Sequence, residues 1–558
     1  MALVIVVTPL LFPSSRRAAA TRSDSTAAVA AADSAARSST AQPTTQSAPQ
    51  TAQPTPSAAP PAAVTTPAVT TPSVTPATAT NNAPLRAESL TVVTPRAQYT
   101  YLNPGAVPAN VKVTGYKSLR PGHRDSSLVV SQRFGPLLRY RLALGKDTIS
   151  LDNVPFTVQT NGTTTTFTST SPAITLSYQP VSQAGGDGFH TAVRGTVANA
   201  PPGSALLIDL PSEFRSNEAD TLDDQRHFAY GYKIPLRDAE SIGFSKLDAN
   251  VVRTDTGSFQ WVDAHSKYWL VAVMQPTGQK PAGVFRGLTM RGGNRVGRVA
   301  PVASATTSYP IVNGTIAFDT YIGPQSWNEL HALGNDMENV NPYASFLRVV
   351  VQPFVVIVMR VLLWMKATFR ISYGWVLVIF GVVIRLALWP LNQKAMRTSL
   401  NMQRLQPELQ DLQKRYKNEP EKQRDAMMKL YQEHNMSPFS PMLGCLPMLL
   451  PMPVLYALYY VFQNTIEFRG VPFLWLPDLA LRDPYYITPL LMGLSMFVLS
   501  WIGMRAAPPN AQAKMMGYMM PVMFTVMFVN FPSGLVLYWL VNNLLTIGQQ
   551  YWTNRSLA

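Results

Sequence analysis

Arg385 is the residue whose chemistry most needs explaining. It lies in a long apolar run, with the six positions Leu386 to Leu391 all apolar or aromatic before Asn392. At 1.5 Å per helical residue the charge sits roughly 9 Å inside the end of that run. An Arg in a bilayer interior costs about 3 kcal/mol on insertion scales, so it should face protein or water rather than lipid. Two readings follow. The side chain snorkels its long stem to the nearby headgroups, or it marks a cationic, hydrated cavity that holds a polar or acidic segment part-way into the membrane.

Other polar residues fall in apolar runs: Gln463, Asn464, Ser495, Ser500, Thr525, Asn542, Asn543, Thr546 and Gln549. Taken singly, each is explained by inter-helix hydrogen bonding at about 0.6 kcal/mol. Taken with Arg385, they can line a groove. Reaction chemistry finds no such residues. The one Gly-Lys pair, Gly145-Lys146, is followed by Asp147 rather than Ser or Thr, so there is no phosphate-binding loop. The six His lack metal-site spacing and no nucleophile motif stands out. No catalytic residue, cofactor or metal is expected.

A second pattern lies between the apolar runs. Met402, Leu405, Leu409, Leu412 and Tyr416 recur at alternating spacings of three and four, the seam of a helical hairpin, with Pro420 in its turn and Glu421 to His434 returning. A solvated hairpin and a docking platform for an incoming chain fit this pattern equally.

The elements that position these residues follow from where the apolar residues fall. In 558 residues they concentrate after Phe346, in runs approaching the roughly 20 residues that cross a hydrocarbon core. Five spans are expected, near 373 to 391, 438 to 463, 485 to 503, 513 to 530 and 533 to 551. The loop Asn392 to Met436 holds nine Lys/Arg, Thr465 to Pro484 holds two and Val529 to Gly534 none, so the first loop belongs in the cytoplasm. One crossing, Tyr373 to Leu391, then separates it from an external domain. The segment 346 to 370, interrupted by Arg348, Gln352, Pro353, Arg360 and Lys366, becomes an interfacial amphipathic helix, and the C-terminus ends inside. The net charge of +15 carries no Lys/Arg stripe with interleaved aromatics, which argues for anionic lipid and topology over nucleic acid. Cys445 is the only cysteine, so no intramolecular disulfide forms. Dense prolines (Pro438, Pro441, Pro447, Pro451, Pro453, Pro489, Pro521) and methionines suit a deformable bundle with an adaptable surface.

Ahead of the spans, residues 1 to 17 read as an apolar anchor that begins upstream, with a cleaved signal peptide as the alternative. Residues 18 to 84, nearly all Ala, Thr, Ser, Pro and Gln, form a tether too poor in apolar surface to offset its ordering entropy. From 85 to 334, short segments rich in Val, Thr, Tyr and Phe alternate with turn residues, which predicts an all-β sandwich. Its strands include Ser89 to Thr94, Phe156 to Thr160, Thr163 to Thr168 and Ile174 to Tyr178. A helix over Trp327 to Leu333, started by Pro324 and Ser326, closes it.

The stretches Val383-Ile-Arg-Leu-Ala-Leu-Trp-Pro-Leu391, Asp483-Pro-Tyr-Tyr-Ile-Thr-Pro-Leu-Leu-Met-Gly493 and Phe531-Pro-Ser-Gly-Leu-Val-Leu-Tyr538 resemble the YidC/Oxa insertase family. So do Gln406-Pro407, Met452-Pro453, Ala457-Leu-Tyr-Tyr460 and Gln549-Gln550, all in the expected order. Trp261, Lys267-Tyr268-Trp269 and Tyr321-Ile-Gly-Pro324 match more loosely, resembling the periplasmic β-supersandwich of Gram-negative members. The resemblance implies a five-helix membrane core with a cytoplasmic hairpin behind an all-β periplasmic domain, in a bacterial inner membrane. It implies that Arg385 belongs to a hydrophilic groove open to cytoplasm and lipid, and that Tyr538 and Trp539 contact substrates. With these, Gln463, Ser495, Thr525, Asn543 and Thr546 form the expected groove set. Implied partners are nascent membrane proteins, membrane lipid, the Sec translocon and the translating ribosome, with a monomer sufficient.

Two features depart from the family pattern. Gly381 stands where some relatives carry a hydroxyl one turn before the Arg, and Arg555 is the only charge after Tyr551, so tail-dependent ribosome binding is not expected. The rival reading is a membrane-anchored carbohydrate-binding or sugar-modifying protein working through the β domain. It would need paired carboxylates, and Asp209, Glu213, Asp223 and Asp224 form no persuasive set. A secondary transporter would show a repeated half, which the five spans lack.

Overall fold

The computed structural model describes residues 88–182, 188–278, 282–297, 299–341, 348–434, 452–505 and 511–557. The expected anchor, the tether, Cys445 and residues 438 to 451 of the second span lie outside the described residues.

Three antiparallel sheets build the first part of the chain. A four-stranded sheet runs in sequence order, β1 (Glu88–Val93), β2 (Ala97–Asn103), β3 (Val107–Lys117) and β4 (Ser127–Ser131). A six-stranded sheet has the order β14 (Val252–Phe259), β17 (Phe285–Gly292), β18 (Ala303–Pro310), β11 (Ala205–Asp209), β5 (Arg139–Leu144), β6 (Asp147–Ser150). The nine-stranded sheet begins with β13 (Glu240–Gly243), β12 (Ala229–Lys233), β15 (Trp261–His265), β16 (Trp269–Met274) and β19 (Thr315–Pro324). It continues with β10 (His190–Val197), β9 (Ala173–Pro180), β8 (Thr164–Thr170) and β7 (Thr157–Asn161). The expected strands are all present, shifted by a residue or two. The two large sheets share a core: Tyr140 of β5 and Phe285 of β17 meet Phe318 of β19, with ring centroids 6.3 and 6.2 Å apart.

Strand burial separates one-sided from two-sided elements. In β9 only Ile174, Leu176 and Tyr178 turn inward, the period of two of a half-covered strand. By contrast β12, β15 and β16 are buried at every position, because a second layer covers their outer face. That layer includes a helix over Trp327–Leu333, at the expected place, and the turn beyond it. Trp261 Nε1 donates to the Asn335 carbonyl at 2.9 Å, and Lys233 Nζ reaches Asp336 at 2.5 Å. A short helix, α1 (Thr221–Arg226), was not anticipated; Trp327–Leu333 is α2.

The helical part comprises α3 (Arg348–Phe369), α4 (Tyr373–Ala387), α5 (Trp389–Arg415), α6 (Pro420–Glu433), α7 (Met452–Asn464), α8 (Ile487–Arg505), α9 (Ala511–Phe528) and α10 (Ser533–Leu557). Two of these, over Val351–Phe369 and Ile487–Met504, are long and apolar enough to cross a membrane by length and composition; Tyr373–Ala387, Met452–Phe462 and Gly517–Phe528 are shorter apolar helices. Leu362, Val376, Leu377, Phe380, Leu458, Phe462, Leu535 and Tyr538 form their shared core. Outward, Leu490, Leu494, Val522 and Val526 remain exposed, an apolar surface of the kind that meets lipid.

The helix in the first expected span breaks at Leu388 rather than at 391. Pro390 has no N–H to continue the ladder, so α4 ends and α5 restarts with Pro390 in its first turn, while Leu388 and Asn392 keep the i to i−4 bonds across the join. The hairpin is therefore a near-continuation of α4. Leu405, Leu409, Leu430 and Tyr431 form its seam, with Leu412 against it. Tyr416 ends α5 as its C-cap, and the Met402 side chain is outside the described residues.

Candidate substrate groove in the helical bundle

α4 carries Arg385 two residues from its end, and α10 presents Asn542, Thr546 and Gln549 at helical spacing (i, i+4, i+7) on one face. These helices lie close. Phe380 and Tyr538 are 6.0 Å apart, and a Cβ built on Gly381 would stand 3.3 Å from Val541 Cγ1 and 3.6 Å from Tyr538 Cδ2. The bare backbone of Gly381 permits that approach, and it lets Arg385, one turn on, reach α10.

Arg385 is 6% exposed, and its Nη2 donates to Gln549 Oε1 at 2.8 Å. Gln549 Nε2 in turn lies 3.4 Å from Gln393 Oε1. Among the described residues Arg385 Nε has no partner, and both amide atoms of buried Asn392 are likewise unpartnered. A buried guanidinium that holds one neutral amide and keeps an unpartnered Nε among the described residues has hydrogen-bonding capacity to spare. It sits at the end of the bundle where Trp389 meets Trp552, 5.8 Å between ring centroids.

The expected groove set divides. Arg385 joins Gln549, one of the polar residues of the apolar runs, and through it Gln393, which the sequence did not single out. Asn543 Nδ2 donates to Ser495 Oγ at 2.9 Å, pinning α8 to α10 as a separate buried pair. Thr546 and Thr525 turn back on their own helices, to the Asn542 and Pro521 carbonyls at 2.6 and 2.7 Å. Tyr538 is fully enclosed in the bundle core. Trp539 packs on Phe528 and Phe524, at 4.7 and 5.6 Å. The Gln463 side chain lies outside the described residues.

The β domain spends its carboxylates on structure. Asp209 is paired to Arg141 at 2.6 Å and Asp223 to Lys267 at 2.8 Å, while Asp224 accepts from the Lys267 N–H at 3.1 Å. Burial, reinforced by the Glu218 charge, pushes Asp224 up to about 7. Separate strands also bring Ser241 Oγ within 3.3 Å of His265 Nε2, whose Nδ1 is 2.6 Å from Asp263 Oδ2. Both His265 and Asp263 are fully buried. Gly231, between them and Ser241, makes the room, since a Cβ there would fall 2.2 Å from Asp263 Oδ1. Enclosed in this way, the trio pins the sheet.

The loop between α7 and α8 locks onto the β domain. Arg469 Nε donates to both Glu218 oxygens at 3.0 and 2.7 Å, and its Nη atoms donate to the Lys117 and Asn217 carbonyls at 3.0 and 3.2 Å. Glu467 Oε1 accepts from the Trp327 N–H at 3.3 Å and from Ser326 Oγ at 3.2 Å. The α2 cap expected from Ser326 itself is thus supplied by a carboxylate 140 positions away in sequence. Burial pushes Glu467 up to about 7.

Comparison with known proteins matches both parts. The family model described as 60Kd inner membrane protein covers residues 364–558, and the one described as YidC periplasmic domain covers 150–357. The membrane protein insertase YidC of Geobacter sulfurreducens is 37% identical over 302 residues, 53% of this chain and 54% of that protein. The same-named protein of Magnetococcus marinus is 40% identical over 243 residues, 43% of this chain and 42% of its own. The chain spans about half the length of the curated relatives it matches. A crystal structure of an active YidC insertase with its first transmembrane domain resolved aligns with 84% of this chain and 93% of that one, at 18% identity and a TM-score of 0.34. With one family model on the helical part and the other on the sheets before it, the chain is similar to the YidC family over both parts.

Proposed function

We propose that this protein inserts membrane proteins and helps them fold, moving a polar terminus or short loop of the incoming chain part-way across the bilayer through the pocket around Arg385. The observation that carries this reading is a buried guanidinium that, among the described residues, has one amide partner and an unpartnered Nε inside an apolar bundle. A fixed charge facing polar groups lowers the cost of bringing an acidic segment into the low-dielectric layer. Burial of the substrate's apolar residues in lipid drives the net step, and the protein lowers the barrier.

The topology in this reading places the β domain in the periplasm and the hairpin and C-terminus in the cytoplasm of an inner membrane. Two sets of contacts support it. The α7–α8 loop, on the β domain, also meets the start of α4 (Tyr373 against Phe468, 4.7 Å) and the start of α10 (Ser533 N to Leu481 O, 2.7 Å). For α3, Gln352 bonds Asn339 of the β domain at 2.9 Å, Arg360 lies over Trp327, and Lys366 lies over Tyr373. Both ends of α3 thus stay on one side, which fits a helix lying along the membrane surface despite its length. The substrates are nascent membrane proteins, handled alone or beside the Sec translocon and the ribosome.

The test is depletion of a host's own insertase, rescued by this gene or its Arg385→Ala variant, while insertion of a small Sec-independent membrane protein is followed. Rescue by the wild type is expected, with the variant failing most on substrates whose translocated segments are acidic. Equal insertion of every substrate by Arg385→Ala would remove the electrostatic part of the mechanism.

A further inference from the structure

The outward face of the four-stranded sheet carries a groove of about 700 Å³ that the bundle does not use. Its floor follows from strand alternation: Leu128 and Val130 of β4 point into the core, leaving Ser127, Val129 and Ser131 outward. Asn110 of β3, together with Arg120, His123 and Arg215, completes the walls. No carboxylate lines the groove, and among the described residues neither Arg120 nor Arg215 has one within ion-pair distance. The lining is small, polar and cationic, with hydroxyl and amide groups between two guanidiniums that can take carboxylates in a two-pronged grip.

Its position gives the charge a purpose. Asn217, in its lining, and Leu119, between Ser118 and Arg120 of that lining, are among the residues that meet the α7–α8 loop. Arg469 donates to the Asn217 carbonyl, the Leu119 N–H donates to the same carbonyl at 2.8 Å, and Leu119 lies 3.5 Å from a Cβ built on Gly470. The groove therefore opens beside the end of the bundle opposite Arg385. We infer that it is a receiving site for acidic, extended polypeptide, taking the translocated segment of a substrate as it leaves the outer end of the helices. This rests on the insertase reading and names the segment that reading transports. The volume is in the range of sites that enclose a small ligand or a few residues of peptide.

The experiment uses the full chain in nanodiscs of zwitterionic lipid, titrated with a fluorescent peptide of alternating Ser and Asp and with its Ser and Asn counterpart. The acidic peptide should bind, more weakly as salt is raised, and the neutral one should not. The double variant Arg120→Gln/Arg215→Gln should weaken binding roughly tenfold at unchanged melting temperature. Ser131→Trp, which fills the floor without touching charge, should weaken it as well. Equal binding by wild type and both variants, or no binding by the wild type, overturns the inference. So does binding of phosphatidylglycerol vesicles that the acidic peptide fails to displace, which would make the groove a lipid-headgroup site. The peptide titration does not involve insertion. Failed rescue of a depleted host with peptide binding intact removes the insertase reading and keeps the groove; rescue without peptide binding removes the groove alone.

Discussion

Two buried arginines divide this molecule. Arg469, its side chain 3% exposed, is held by both oxygens of Glu218, by two backbone carbonyls and by the face of Trp269, 5.6 Å from its ring centroid. Arg385, almost as buried, has the side-chain oxygen of Gln549 and no carboxylate among the described residues. The first is compensated on all sides, as a charge must be when its task is to hold a domain onto a bundle. The second is left short of partners in the more apolar of the two regions. In the proposed reading, a charge kept under-compensated where that is costly is available to a polar segment that arrives later, which sets it apart from the clamp.

The comparison breaks first at the clamp. Arg469→Ala leaves the Glu218 carboxylate buried without its counter-charge and should cost about 3–5 kcal/mol, read as an earlier unfolding transition of the β domain in denaturant. A loss under about 1 kcal/mol would mean that solvent reaches Glu218 and that the pairing is not structural. Next is the neighbouring carboxyl. Glu467, raised by burial from the ordinary 4.5 to about 7, holds its proton more tightly in the folded chain than in the unfolded one. Its contribution to stability is therefore full below about 4.5 and is lost as the pH rises through about 7. Glu467→Gln keeps an acceptor for the Trp327 N–H and should flatten this fall by about 1–3 kcal/mol, measured as melting temperature against pH. An unchanged profile would place the proton elsewhere.

In the bundle the effects on stability shrink. Asn543→Ala removes the tie to Ser495 and should cost about 0.6 kcal/mol, checked by melting in detergent. Arg385→Met comes last, with no expected loss of stability and a gain of up to about 1 kcal/mol, because it replaces an under-partnered charge with apolar volume. If that variant were instead as damaging as Arg469→Ala, both arginines would be structural and the contrast between the regions would vanish.

The residue pattern alone determined a good deal. Apolar runs, turn residues and period-two strands located the sheet-rich region, four of its strands, α2 and the helices α4 and α8 to α10, because those signals depend on neighbours within one element. The hairpin seam at Leu405 and Leu409 was legible for the same reason. A charge inside an apolar run is conspicuous at any distance from its partners, so Arg385 was found too. What only the tertiary structure decided is who meets whom. Gln549 lies 164 positions from the Arg385 that it holds, Glu218 lies 251 from Arg469, and Glu467 caps a helix 140 residues before it. No periodicity encodes such pairs. Whether a buried charge is satisfied is a property of the packed chain, since desolvation and its compensation arise only once distant segments exclude water together.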